Sequence, residues 1–216
     1  MLEELLPFHF TENEPVSGTV HDWVHHIDTL TASAEAHLKL ASIPAAASMW
    51  MRRYGLFITG HLYMFSKYRR VWNGTPAQVG IVIRSGESWP LFFQLNHEKW
   101  DQCDDDGARL ILDRLVNPVI ELLAKNAKLP PVISRENIFG YALWMYVNVL
   151  EDAGDLRLLR EYERFLQKKG PAEAMQSYTR MTCCLYKEVP GCDKCPYCPM
   201  VKEKACEDLL GEVKIN

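Results

Sequence analysis

Residues 45–66 read AAASMWMRRYGLFITGHLYMFS. Apolar side chains fall on most faces of this run, interrupted by Arg52, Arg53, Gly55 and Gly60, and a helix that is apolar nearly all round must be buried. Pro44 restarts the chain ahead of it, at a place where a helix tolerates a missing N–H. The run therefore predicts a central helix with the remaining elements packed around it.

Upstream, Trp23, Ile27, Leu30, Ala34, Leu38 and Ala41 recur at spacings of three and four, which predicts one helix over Val20 to Leu40. Downstream, Gln78–Ile83 (QVGIVI) and Trp89–Leu95 (WPLFFQL) are β-branched and aromatic runs joined by Arg84, Ser85, Gly86 and Glu87, a pair of strands and a short turn. Pro90 lacks a ladder donor and marks an edge or entry position. Asp104, Asp105 and Asp106 stand where acids cap a helix, ahead of a periodic segment from Ala108 to Ala124. Two more helices are predicted, one from Ser134 and Asn137 to Glu151 and one from Asp155 to Lys169, the second closed by Gly170 and Pro171. There is no 20–50-residue repeat, no Gly/Ser-rich linker and no phosphate-binding glycine motif. The fold class is α+β: a mainly helical domain over 1–177 with a small antiparallel sheet, followed by a cysteine-bearing segment over 178–216.

Composition excludes several classes of function. The 216 residues carry 24 Lys and Arg against 28 Asp and Glu, a formal charge of -4, and no basic block. Nucleic acids and anionic membranes are held by clustered positive charge, so neither is an expected partner. The longest stretches free of charge, Tyr54–Ser66 and Asn137–Leu150, are too short to span a bilayer. The N-terminal MLEELLPFHFTENEP is acidic and lacks a long apolar core, so it does not read as a secretory signal, and the expected compartment is the cytoplasm.

Of seven cysteines, Cys103 stands alone, while Cys183, Cys184, Cys192, Cys195, Cys198 and Cys206 crowd the C-terminal region. In a reducing compartment such a cluster points to metal or redox chemistry rather than disulfides. Cys183, Cys184, Cys195 and Cys198 spell C-C-x10-C-x2-C. A Cys-x2-Cys turn brings two sulfurs to one side of a loop. An adjacent pair in extended backbone points to opposite faces, so joint ligation needs a bend at Cys183 and Cys184. Two sulfide-bridged irons, each taking two protein ligands, suit this set better than one tetrahedral zinc. Cys192, Cys195 and Cys198 also spell C-x2-C-x2-C, which keeps open a four-iron site completed by Cys184 or Cys206, and structural zinc or a bare redox dithiol stay open as well.

With Arg180 and Thr182 ahead of the pair, and Pro196 and Pro199 after the last two cysteines, the segment Arg180–Pro199 resembles the C-terminal signature of the FhuF-like ferric siderophore reductases. The preceding 179 residues resemble that family only in helical character and length. The resemblance implies a [2Fe-2S] cluster on Cys183, Cys184, Cys195 and Cys198, and one-electron reduction of siderophore-bound Fe(III) to Fe(II), which the chelator's hard oxygen ligands hold far more weakly. It also implies a separate electron donor. No general base or nucleophile is required. The alternative is a non-enzymatic metal-binding or electron-transfer adaptor.

Basic and aromatic side chains near the cluster would set substrate preference. The candidates are Arg180, Lys187, Lys194 and Tyr197, together with Arg52, Arg53, Lys67, Arg69 and Arg70 if folding brings them near. Pro190, Pro196 and Pro199 remove backbone donors, which predicts few hydrogen bonds to the sulfurs and a low potential. His21 and His25 read as surface histidines, and His61 and His97 as hydrogen-bonded core residues. Met49, Met51, Met64 and the tryptophans read as packing. Cys103, beside three aspartates, is expected to have a raised pKa.

Overall fold

The computed structural model describes residues 2–84, 89, 91–97 and 99–200. In chain order the elements are α1 (Leu2–Leu5), β1 (Phe10–Thr11), α2 (Val20–His25), α3 (Ile27–Leu38), α4 (Ile43–Tyr68), β2 (Arg70–Trp72), β3 (Val79–Ile83), β4 (Leu91–Leu95), β5 (Trp100–Gln102), α5 (Gly107–Ile111), α6 (Asn117–Asn126), α7 (Pro131–Trp144) and α8 (Pro171–Gln176). Helices dominate and the sheets are small, so the fold is α+β.

Helix α4 is the axis. Every residue from Ala45 to Phe65 is buried except Arg52 and Arg53. Its 26 residues span roughly 39 Å at the α-helical rise. It ends at Arg69, in the left-handed region at φ 54°, whose N–H bonds the Phe65 carbonyl at 2.8 Å. Helix α7 crosses α4 at Gly55, where an added Cβ would lie 3.0 Å from the Asn137 carbonyl oxygen. That close approach sets α7, which carries Glu136 and Asn137, directly against α4.

Strands β3 and β4 pair antiparallel, from Val79 opposite Leu95 to Ile83 opposite Leu91. Their connection from Ser85 to Ser88, and the expected edge position Pro90, lie outside the described residues. β1 adds to β4 in parallel, so this sheet is mixed rather than antiparallel throughout. β2 and β5 form a second, antiparallel pair.

Several helix expectations change, among them the helix expected from Ser134 to Glu151, which starts at Pro131 and gives way to a π turn over Met145–Val149. The predicted helix over 20–40 is broken at His26, because the Asn126 side chain donates to the carbonyls of Val24 (2.9 Å) and His25 (3.3 Å), which a continuous helix would use internally. The segment 155–169 forms two 3₁₀ stretches, Gly154–Leu158 and Arg160–Leu166, not an α-helix. Leu156, Leu159, Tyr162 and Phe165 are its buried residues, and a spacing of three is the period of a 3₁₀ turn. Gly170 and Pro171 open α8 instead of closing the preceding helix, Pro171 taking the first-turn position that needs no donor. Between α5 and α6 a π turn over Leu112–Val116 precedes Pro118, whose missing N–H would interrupt an α-helical ladder.

Among the described residues no helix is long and apolar enough to cross a membrane. The described part of the cysteine segment shares the main core, contributing Tyr178 and Val189 to it.

Candidate metal centre and adjoining cavity

Cys184, Cys195 and Cys198 are buried and form a small apolar cluster of their own against Tyr186, while Cys183 and Cys192 are half-buried. The Cys184 and Cys195 sulfurs stand 3.5 Å apart. Two thiolates on one tetrahedral metal, each about 2.3 Å from it, would stand about 3.8 Å apart, so this pair is spaced as two ligands of one ion. Leu185, in the left-handed region at φ 64°, turns the chain immediately after the adjacent cysteines. The Cys195–Cys198 turn is closed by the Cys198 N–H on the Cys195 carbonyl at 2.9 Å. Among the described residues no three His, Cys, Asp or Glu donors converge as they would on a single metal ion. Thiols are nonetheless the donors an iron–sulfur cluster takes, and a two-iron cluster asks each iron for a pair, so the residues fit that group.

The segment is held by side chains far away in the chain. Glu136, fully buried on α7, accepts the backbone N–H groups of Met181 and Thr182 and the Thr182 hydroxyl, and lies 3.4 Å from the Arg180 guanidinium. Arg180 also donates through Nε to the Thr182 carbonyl at 3.2 Å, and its own N–H bonds the Tyr197 carbonyl at 2.8 Å. On α4, the Ser48 hydroxyl donates to the Cys184 carbonyl at 2.7 Å, and the Asn137 amide donates to the Ser48 hydroxyl at 3.1 Å. Sequence reasoning missed Glu136, Ser48 and Asn137. The only signal was a string of polar residues at core positions of apolar helices, which is costly unless each has a partner.

Electrostatics favours thiolate at one sulfur. The Cys184 thiol is held below the usual thiol range, first by its hydrogen bond with Cys195 and further, against the cost of burial, by Arg180, the Tyr186 N–H and Arg52. Cys195 is pushed up by the same hydrogen bond and by burial, so the pair shares one proton. The Tyr186 and Tyr197 N–H groups reach the Cys184 and Cys195 sulfurs. This corrects the expectation of a donor-poor loop: the prolines remove donors at 190, 196 and 199, but the residue two beyond each of these cysteines supplies one.

Beside the sulfurs lies a cavity of about 590 Å³. Its wall includes Cys184, Cys192 and Cys195 and the cations Lys39, Arg52, Arg53 and Arg180, and among the described residues no Asp or Glu lines it. Trp89, Tyr141, Trp144, Tyr178, Tyr186 and Tyr197 supply its aromatic surface. The Arg52 guanidinium lies 5.4 Å from the Tyr186 ring centroid and hydrogen-bonds Tyr141.

The fold divides the expected substrate-binding set. Arg180, Tyr197, Arg52 and Arg53 line the cavity. Lys187 and Lys194 are exposed and do not line it, Lys194 donating to the Met200 carbonyl at 3.4 Å. Lys67, Arg69 and Arg70 are removed from it, because α4 carries them toward its opposite end. There Lys67 pairs with Glu4 at 2.7 Å, Arg69 pairs with Asp155 at 2.9 Å, and Arg70 begins β2. Cys206 lies outside the described residues.

The remaining singled-out residues have structural places. His21 and His25 are exposed, with rings 5.5 Å apart. Met49, Met51 and Met64 are buried. Cys103 is pushed up by burial and by its bond to Asp106. His97 contacts Gln78 at 3.3 Å, but His61 is fully buried among Phe10, Phe57, Trp72 and Trp100, and neither of its ring nitrogens has a hydrogen-bond partner among the described residues.

Comparison of the chain with models of protein families gives no match, and comparison with curated proteins gives none either.

Proposed function

We propose that the protein is a cytoplasmic reductase of siderophore-bound iron, with a [2Fe-2S] cluster on Cys183, Cys184, Cys195 and Cys198. The observation that carries this reading is the placement of two of these sulfurs, Cys184 and Cys195, in the wall of a cavity lined by cationic and aromatic side chains, with no carboxylate among the described residues that line it. A [2Fe-2S] cluster bound there supplies one electron at a time at short range.

The chain's own residues hold, charge and shield this site. Glu136 fixes Arg180–Thr182, and Ser48 fixes the Cys184 carbonyl, so the ligand segment is set against the α4–α7 pair. Arg180 and Arg52 favour thiolate at Cys184, the form a metal takes. The cavity admits a ferric chelate beside the sulfurs, and its cations offset the charge of an anionic complex. The bound Fe(III) gains one electron and becomes Fe(II), which hard oxygen donors hold far less tightly. A low-potential one-electron donor restores the protein.

Anaerobically purified protein should be brown, contain iron and acid-labile sulfide in equal amounts, and bleach with dithionite. The dithionite-reduced protein should then regain its color when a ferric siderophore is added. A colorless protein with stoichiometric zinc overturns the cofactor assignment. A reduced protein that no ferric chelate reoxidises overturns the reductase reading.

A further inference from the structure

Helix α4 presents two successive turns to the cysteine segment. From the first, Ser48 donates its hydroxyl to the Cys184 carbonyl at 2.7 Å. Arg52 follows one turn later, at the i, i+4 separation that puts two side chains on one helix face. Its guanidinium lies 5.4 Å from the centroid of the Tyr186 ring, and Tyr186 packs against the cluster of Cys184, Cys195 and Cys198. Arg52, Cys184 and Cys195 line the same cavity.

The two guanidiniums that act on these sulfurs are partnered differently. Arg180 lies 3.4 Å from the Glu136 carboxylate, so much of its charge is offset. The described contacts of Arg52 are the Met49 sulfur at 3.9 Å, the Tyr141 hydroxyl and the Tyr186 ring, none of them a carboxylate. Its charge is felt instead at Cys184 and Cys195. Arg52 is half-buried, and away from bulk water two charges act on one another several times more strongly than in it. A one-electron reduction adds one negative charge to the site. A cation fixed beside the sulfurs favours that reduced form, and charge near an iron–sulfur site is one of the quantities that set its potential.

We infer that Arg52 sets the reduction potential of the sulfur site, holding it above the value that the cysteines and their backbone donors alone would give. This inference rests on the two-iron cluster of the proposed reductase and names the residue that tunes it. A higher potential eases reloading by the electron donor and leaves less driving force for reducing the ferric complex, so Arg52 divides the available drop between the two half-reactions.

Redox titration of the anaerobically purified full-length protein with dithionite and mediators, followed by its visible absorbance, reads the midpoint directly. In Arg52→Met and Arg52→Gln the equilibrium constant for reduction should fall about tenfold, a midpoint lower by about 59 mV for a one-electron couple. Arg52→Lys keeps the charge and should keep most of the potential. Arg69→Gln removes a cation at the far end of α4 and should leave the midpoint where it is. A midpoint unchanged or raised in the neutral variants, or lowered as far by Arg52→Lys, overturns the inference. So does loss of iron and sulfide from both neutral variants, because Arg52 would then serve loading and not potential. If the midpoints shift as stated but no ferric siderophore reoxidises the reduced wild-type protein, the reductase reading fails while the role of Arg52 stands. If a ferric siderophore reoxidises it and the midpoints do not shift, the reverse holds. Wild-type protein without iron and sulfide overturns both.

Discussion

Glu136 and Thr182 are 46 residues apart, and the carboxylate of the first accepts both the backbone N–H, at 2.9 Å, and the hydroxyl of the second. Arg180 is buried 3.4 Å from the same carboxylate, so one acid faces both the backbone donors and the guanidinium at the entry to the cysteine segment. Glu136→Gln should turn an amide toward a group of donors and leave a buried guanidinium without this partner. Breaking buried pairs of this kind costs about 3–5 kcal/mol. Urea unfolding should show a loss of that order, and the iron and sulfide content of the variant should fall with it. Unchanged stability would mean that the segment is held by other contacts.

The two half-buried cysteines near the cavity should behave differently. Cys184→Ser or Cys195→Ser should abolish a two-iron electron paramagnetic resonance signal in the reduced protein, since these sulfurs form the close pair. Cys192→Ser should leave the signal nearly intact, and Cys183→Ser should remove it. Loss of signal in the Cys192 variant with retention in the Cys183 variant would favor a four-iron site.

His61 should make the protein acid-sensitive. Burial pushes its imidazole down to about 3, whereas in the unfolded chain it titrates near 6.5. The unfolded state therefore binds the proton first as pH falls. Stability from this group is complete above about pH 6.5 and declines by about 1.4 kcal/mol per pH unit down to about pH 3. His61→Phe, placed among four aromatic rings, should flatten the pH dependence of urea unfolding over that window. An identical slope in both proteins would show that His61 is not the titrating group.

Gly55→Ala should destabilise although alanine is the better helix former. The added methyl meets the Asn137 carbonyl at 3.0 Å and the Ile138 Cα at 3.2 Å, which are backbone atoms and yield only by moving α7. The propensity gain is about 1 kcal/mol and overpacking costs about 1–3 kcal/mol, so a net loss of up to about 2 kcal/mol is expected by thermal or urea unfolding. Because α7 carries Glu136 and Asn137, bound iron should fall more than stability alone would explain.

What could be read from the chain followed from local pattern. The α4 run is apolar on nearly every face and folds as a buried axis, and β3 and β4 pair where their β-branched and aromatic residues stand. The cysteine spacing also singled out three residues that the fold gathers in one buried patch. What could not be read depends on partners distant in sequence. Nothing near Ser48 indicates that its hydroxyl binds the Cys184 carbonyl, and nothing near His26 indicates that Asn126 will take the carbonyls preceding it. The basic residues of α4 looked like one set, but the length of the helix separates Arg52 and Arg53 from Arg69. The 3₁₀ segment was not legible: Leu158 and Leu166 fit an α-helical spacing as well, and only burial selects Leu156, Leu159, Tyr162 and Phe165 at a period of three.

The clasp on residues 180–182 uses a carboxylate, a guanidinium and peptide groups, and no sulfur at all. One side of the cysteine loop is therefore anchored by contacts in which no sulfur takes part. If the proposed cluster binds, the polypeptide can set this edge before the thiols close on it. In that case a chain stripped of the cluster by a chelator would keep the Glu136 contacts to residues 181 and 182 and could be refilled without starting again from an unfolded chain.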